Sequence, residues 1–314
     1  MTGFMTPFLV LLASIVAGDP AAPRLQVSVE RSPGHLVIDA VAFDRSGAPV
    51  ADLRREDLEV WIGGYRVPID TFAFVTPADA DHGGRSIALI LDDVTPALDM
   101  VPRIRDAARR FVERMSPGDE ISIVTLSGTS LESTDERARL LQRIGAYNVK
   151  LTGVQRIDDL GAQALTTIAS VARQIESASG RRKTIVAIGT GWLFDTPIPP
   201  PTVGRDVRAE WTDAMRAMAS ANATLYVIDP MGLGSSRALG GSSGFAHETG
   251  GYAFLNTNDV SGAADRIFRE AGSYYLLGVA NPPVGRKADL RELEVRVLRR
   301  GVTVPARKAV PGAR

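Results

Sequence analysis

The sequence predicts an α/β protein: a doubly wound, mostly parallel sheet with a smaller β-sandwich-like unit beside it. Three observations lead there. Between residues 85 and 272, apolar runs of strand length alternate with amphipathic helical stretches. On both sides, over 24–75 and 273–310, apolar and polar residues alternate with the period of two that marks half-buried strands. Finally, 314 residues with 45% hydrophobic content are enough for a sizeable core.

The elements follow in order. LQVSVE and HLVIDAVAF read as strands, with SGAP (Ser46–Pro49) as a turn. The pair Gly63-Gly64 in VWIGGYRV reads as a hairpin. A polar linker over 77–85 ends this first β block. The series then runs strand 87–92, helix 97–115, strand 120–126, helix 135–144 and helix 158–177. It continues through strand 184–190, helix 207–221, strand 224–229, a helix near 245–249, strand 252–255 and helix 260–271. Strands separated by helices imply parallel pairing with both sheet faces covered, and right-handed crossovers wind the sheet both ways. After Gly272, SYYLLGVA, LRELEVRVL and VTVPARKAV return to β. Each terminal β block is too small to stand alone. The two are therefore expected to pack together. The Pro-rich TPIPPPTVG (Thr196–Gly204) reads as a loop after a strand.

Composition excludes several function classes. Lys+Arg 36 balance Asp+Glu 36, which leaves no electrostatic footprint for nucleic acid. There are no cysteines, so thiol catalysis, disulfides and cysteine zinc sites are out. The three histidines, His35, His82 and His247, lie far apart and make no His-x-x-x-His pair for hydrolytic zinc. The first 18 residues hold an apolar run from Phe8 to Ala17, too short to span a bilayer and suited to a signal-peptide core. The competing reading is a buried N-terminal segment, since no Lys or Arg precedes the run. Export is the expectation, with no membrane span after signal removal.

The order of short motifs resembles a von Willebrand factor A (VWA) domain, and more narrowly the VWFA-related bacterial family of Acidobacteria type. VAFDRSGAPVADLRREDLEVWIGGYRVPIDTF is similar to that family's N-terminal block. Tyr226 to Leu233 (YVIDPMGL), Thr249 to Phe254 (TGGYAF) and Tyr274 to Gly278 (YYLLG) match three further motifs in the same order. The resemblance implies a Rossmann-like VWA sheet from 85 to 272. It also implies a contact face at the carboxyl ends of the strands, where open α/β sheets place their ligands.

VWA domains hold Mg²⁺ or Mn²⁺ at a metal-ion-dependent adhesion site with oxygen ligands on three loops. Hard divalent ions favour such ligands in near-octahedral geometry. Here the first loop is Asp92-Asp93-Val94-Thr95-Pro96. Read from Asp92, Val94 and Pro96 take the two hydroxyl positions. Read from Asp93, Thr95 and Ala97 do. Gln155 stands where a threonine is expected, with Thr152 nearby, and Thr190 stands where an aspartate is expected. The resemblance thus leaves Asp92, Asp93, Thr95 and Thr190 as candidate metal ligands of a degenerate site, with Mg or Mn as the ion if any binds. A plainer account makes Asp92 or Asp93, or Thr95 before Pro96, a cap on the following helix. Trp192 is either an exposed aromatic anchor for a partner or a cover over the core.

Weaker candidates read as structure. Gly232 to Arg237 (GLGSSR) and Gly240 to Gly244 (GGSSG) are loops without the ending of a nucleotide motif. His247-Glu248 reads as a helix-surface pair, and Asp158-Asp159 as acids at a helix start. The expected function is an exported, non-enzymatic protein-interaction or adhesion-type module. Its binding face comprises Asp92, Asp93, Thr95, Gln155, Thr190 and Trp192, and its partner is a protein. One alternative is a working Mg/Mn-dependent adhesion domain with unusual ligands. Another is a Rossmann-like hydrolase or nucleotide-dependent enzyme, which lacks a P-loop and a His–carboxylate constellation.

Overall fold

A computed structural model of the chain describes residues 25–32, 35–44, 50–76, 84–128, 131–150, 157–178, 183–190, 206–232, 240–282 and 293–299. The apolar N-terminal run, the proline loop at 196–204 and the last segment, VTVPARKAV, lie outside the described residues.

The α/β part is built on a six-stranded sheet. Its strands are β6 (Ser86–Leu91), β7 (Glu120–Thr125), β8 (Ser133–Thr134), β9 (Lys183–Ile188), β10 (Ala223–Ile228) and β11 (Ala253–Phe254), in the order β11-β10-β9-β6-β7-β8. Every pairing is parallel except β7 with β8. The sequence reading missed β8, a two-residue antiparallel edge too short to show a period. Helices α1 (Val101–Glu113), α2 (Arg137–Ala146) and α6 (Val260–Gly272) cover one face, over Ile87, Leu89 and Leu91. Helices α3 (Ile157–Glu176), α4 (Arg208–Ser220) and α5 (Gly240–Glu248) cover the other, over Ala88 and Ile90. β6 is therefore buried on both sides and carries no polar alternation. Each of its Leu and Ile side chains contributes about 1.5–3 kcal/mol by leaving water.

Two smaller antiparallel sheets join residues from both ends of the chain. β1 (Leu25–Ser32), β2 (His35–Ala42) and β5 (Thr71–Val75) form one with β12 (Tyr274–Ala280), in the order β1-β2-β12-β5. β3 (Leu58–Ile62) and β4 (Tyr65–Val67) form the other with β13 (Glu294–Val297). Leu36, Ile38, Val60, Ile62, Tyr275, Leu277 and Val295 share one core. The β3–β4 turn is made by Gly63 and Gly64 at φ +57° and +78°. Consecutive positive φ values match the strand twist in a two-residue hairpin, and glycine takes them without steric cost.

One expectation fails at the start of α1. The helix begins at Val101, after a single 3₁₀ turn over Leu98–Met100, rather than at 97. The proline in its first turn is Pro102, not Pro96, and neither the turn nor the helix has a side-chain N-cap bond. Neither aspartate of the preceding loop nor Thr95 caps it.

Candidate functional site

β6 lies between β7 on one side and β9 on the other. The chain leaves β6 for β7 and returns beyond it to β9. The order of strands therefore reverses between β6 and β9, and their carboxyl ends flank a crevice where open α/β sheets place ligands. Asp92 and Thr190 follow these two strands. Ladder bonding continues one residue past each strand: Asp92 N–H donates to Ile188 O (3.0 Å) and Gly189 N–H to Ile228 O (3.1 Å).

The twin acids are fully buried but point apart, as successive residues of an extended chain must. Asp92 Oδ1 accepts from the N–H groups of Val94 (3.1 Å) and Thr95 (3.0 Å). Its Oδ2 accepts from the Thr95 hydroxyl. Thr95 Oγ1 in turn lies 3.3 Å from Thr190 Oγ1. Asp92 thus organises its own loop and draws two hydroxyls from separate strand ends together. Gly189 makes room for this, because a Cβ there would lie 2.1 Å from Asp92 Cβ.

Asp93 serves the other side. Its Oδ1 accepts from Ser127 N–H (2.9 Å) and its Oδ2 from Ser127 Oγ (2.6 Å). Lys150 Nζ donates to Ser127 Oγ (2.6 Å) and stands 3.6 Å from Asp93 Oδ2. The Tyr147 hydroxyl donates to Asp92 O (2.5 Å). Burial, reinforced by the charges of Asp92 and Asp93, raises the pKa of that phenol far above its ordinary range. The structure therefore brings Asp92, Thr95 and Thr190 together and separates Asp93 from them. Gln155 and Trp192 lie outside the described residues.

Ser127, Lys150, Tyr147 and Asp229 escaped the sequence reading. For the first three no local pattern gives a signal, since they meet the loop only through the fold. Asp229 had one: it ends a fully apolar strand, as Asp92 does. It is 1% exposed. Its N–H donates to Phe254 O (3.0 Å) and its Oδ1 accepts from Met231 N–H (2.9 Å). Its Oδ2, also buried, has no hydrogen-bond partner.

Arg103 of α1 donates to Pro230 O (3.3 Å) and Met231 O (3.2 Å), tying that helix to the loop after β10. Two large apolar residues at this end are open to water, Leu98 at 58% and Met231 at 39% exposure. His247 and Glu248 are exposed in the last turn of α5. Asp159 is exposed in the first turn of α3.

As a metal centre the family-like loops fit only in part. Asp92 Oδ2, Thr95 Oγ1 and Thr190 Oγ1 are oxygen donors that converge, but they bring one carboxylate, and Asp93 is turned away. Among the described residues no group of three His, Cys, Asp or Glu side chains could hold an ion. No protein-family model matches the chain, and no curated protein matches it.

Proposed function

We propose that this chain is an exported, non-enzymatic interaction module of VWA type, and that it contacts a protein partner through the carboxyl-terminal end of the six-stranded sheet. The observation that carries the reading is the buried Asp92–Thr95–Thr190 cluster at the β6/β9 crevice, beside the exposed Leu98 and Met231. Apolar side chains beside a polar crevice offer anchors that a partner desolvates. The adhesion site expected from the family pattern is degenerate, because Val94 and Pro96 bring no hydroxyls and Asp93 serves Ser127. The balanced charge favours a protein partner over nucleic acid. Among the described residues no helix is long and apolar enough to cross a membrane.

The test is differential capture. The full chain is immobilised and exposed to native envelope extract, beside a Leu98→Asp/Met231→Asp variant and a Tyr65→Ser control. Tyr65 is 54% exposed but sits on β4 of the smaller sheet. Binding that survives Tyr65→Ser and is lost with the double variant supports the reading. The reverse pattern sinks the proposed face. Turnover of an ester or nucleotide, abolished by one carboxylate or histidine substitution, would sink the non-enzyme reading.

A further inference from the structure

We propose that a cavity at the amino ends of β6 and β7 binds a phosphate group through Arg85, Arg114 and Arg269. The cavity measures about 410 Å³, within the roughly 300–1,000 Å³ of small-molecule sites. Arg85 immediately precedes β6, Arg114 ends α1, and Arg269 lies in the last turn of α6. All three line the cavity, together with the hydroxyl residues Ser116 and Ser273 and one acid, Asp265.

The argument starts from hydrogen-bond donors that the fold does not use. A guanidinium carries five N–H donors. Arg85 spends four of them. Its Nε and Nη2 donate to Asp119 (2.9 and 2.5 Å), Nη2 again to Ser116 Oγ (3.0 Å), and Nη1 to Phe268 O (3.3 Å). Arg114 spends three, on Asp265 Oδ1 (2.5 Å), Arg110 O (3.1 Å) and Ser261 Oγ (2.9 Å). Arg269 is exposed and makes no hydrogen bond to a described residue. Ser116 Oγ accepts from Arg85, so its own proton is open to a ligand. Charge runs the same way. Three arginines face two acids, Asp265 in the wall and Asp119 behind Arg85, which leaves one positive charge. Arg85 is held ready: it is 9% exposed and its guanidinium lies 4.5 Å from the centre of the Phe268 ring. Little ordering is lost when such a donor meets a ligand. The donors come from three separate elements. A phosphate group, with three strong acceptor oxygens set tetrahedrally, can accept from all of them, whereas a carboxylate offers two oxygens in one plane. Asp265 opposes any anion, which makes it a gauge of where the ligand sits.

This site is independent of the proposed contact face, and its test needs no partner. Inorganic phosphate is titrated calorimetrically into the full chain at fixed ionic strength. Heat is the readout because phosphate also stabilises folded chains by exclusion from their surface, so a melting shift alone does not report a site. The expected result is one saturable site per chain. Arg269→Gln should weaken it at least about tenfold, through loss of a charge-assisted contact. Arg109→Gln removes the same charge from an exposed position on α1 outside the cavity, and should leave affinity within about twofold. Asp265→Asn removes the opposing charge and should tighten binding. In a second arm the chain is floated with vesicles containing phosphatidate. Flotation that is lost with Arg269→Gln places the phosphate on a lipid, and binding of free phosphate alone places it on a soluble molecule. The inference is overturned if neither probe binds, or if binding is indifferent to Arg269. It is equally overturned if Arg109→Gln weakens binding as much as Arg269→Gln, or if Asp265→Asn fails to tighten it.

Discussion

Tyr147 links the acid loop to the helix layer through one hydroxyl. Its ring sits in the core beneath α1 and α2, and its O–H donates to Asp92 O. Burial first, then the neighbouring charges of Asp92 and Asp93, hold the phenol protonated above its ordinary value of 10.0. The folded state therefore binds this proton more tightly than the unfolded one. Below pH 10 both states carry it and the full contribution is present. Above pH 10 the unfolded state loses it first, so stability falls as pH rises toward the folded value. Tyr275, also raised by burial, acts in the same direction. Chemical denaturation at pH 8 to 11 should show a loss that begins near pH 10. Tyr147→Phe should start about 1 kcal/mol lower at pH 8, having lost one buried hydrogen bond, and decline less steeply. An equally steep decline in the variant would rule Tyr147 out as its source. At this scale the sequence was legible only in part. Asp92 could be placed because an apolar strand ran into it. The partition of Asp92 from Asp93 follows from strand alternation, which the reading did not carry on to Asp93. The Ser127 and Lys150 contacts arise from loops distant in sequence, and no local pattern encodes them.

The elements themselves were the most legible part, because a strand buried on both faces and an amphipathic helix differ in period. β6, β7, β9 and β10 fall within a residue or two of their expected ends. The misses have local causes. α1 starts after a 3₁₀ turn over Leu98–Met100, α5 opens at Gly240 inside the glycine-serine run read as a loop, and β8 has two residues. What holds β6 and β7 at their amino ends is a buried ion pair. Arg85 Nε and Nη2 bind Asp119 Oδ1 (2.9 Å) and Oδ2 (2.5 Å), and its guanidinium lies 4.5 Å from the centre of the Phe268 ring. Asp119 also accepts from the N–H groups of Arg85 (2.9 Å) and Ser116 (2.7 Å). Both side chains are over nine-tenths buried. Removing one partner leaves the other charged and dry, which typically costs about 3–5 kcal/mol. Asp119→Ala should lower the unfolding free energy extrapolated from urea denaturation by that amount, with an unchanged slope. A loss under 1 kcal/mol would mean that water reaches Arg85, and that the pair is not what joins α6 to the start of β6 and β7.

At the scale of the molecule, the chain crosses between its two parts twice, at Gly84–Arg85 and at Gly272–Ser273. Both crossings lie at the amino ends of the parallel strands, where Arg85 Nη1 donates to Phe268 O (3.3 Å). The strands added by the C-terminal segment are not an appendage. β12 is central in its sheet, paired with β2 on one side and β5 on the other. Tyr275 on it donates to Val50 O (2.7 Å) and accepts from Leu53 N–H (3.0 Å), joining residues more than 220 positions apart. Phe72 and Phe74 pack on the same ring. Without β12, the sheet divides into the β1–β2 pair and a lone β5, and Leu36, Ile38 and Ala40 lose the Leu277 and Val279 side of their core. A two-stranded pair does not hold independently in water. Truncation after Gly272 should therefore unfold residues 35–75 while the helix-covered sheet, whose cores among the described residues lie between 87 and 268, stays assembled. Limited proteolysis would then cut within 35–75 and leave a resistant fragment from about 84 to 272. If the truncated chain resists cleavage throughout, the first β block is stable alone. If no fragment survives, the parallel sheet depends on the second unit, and a contact face at its far end would be sensitive to mutations in β12.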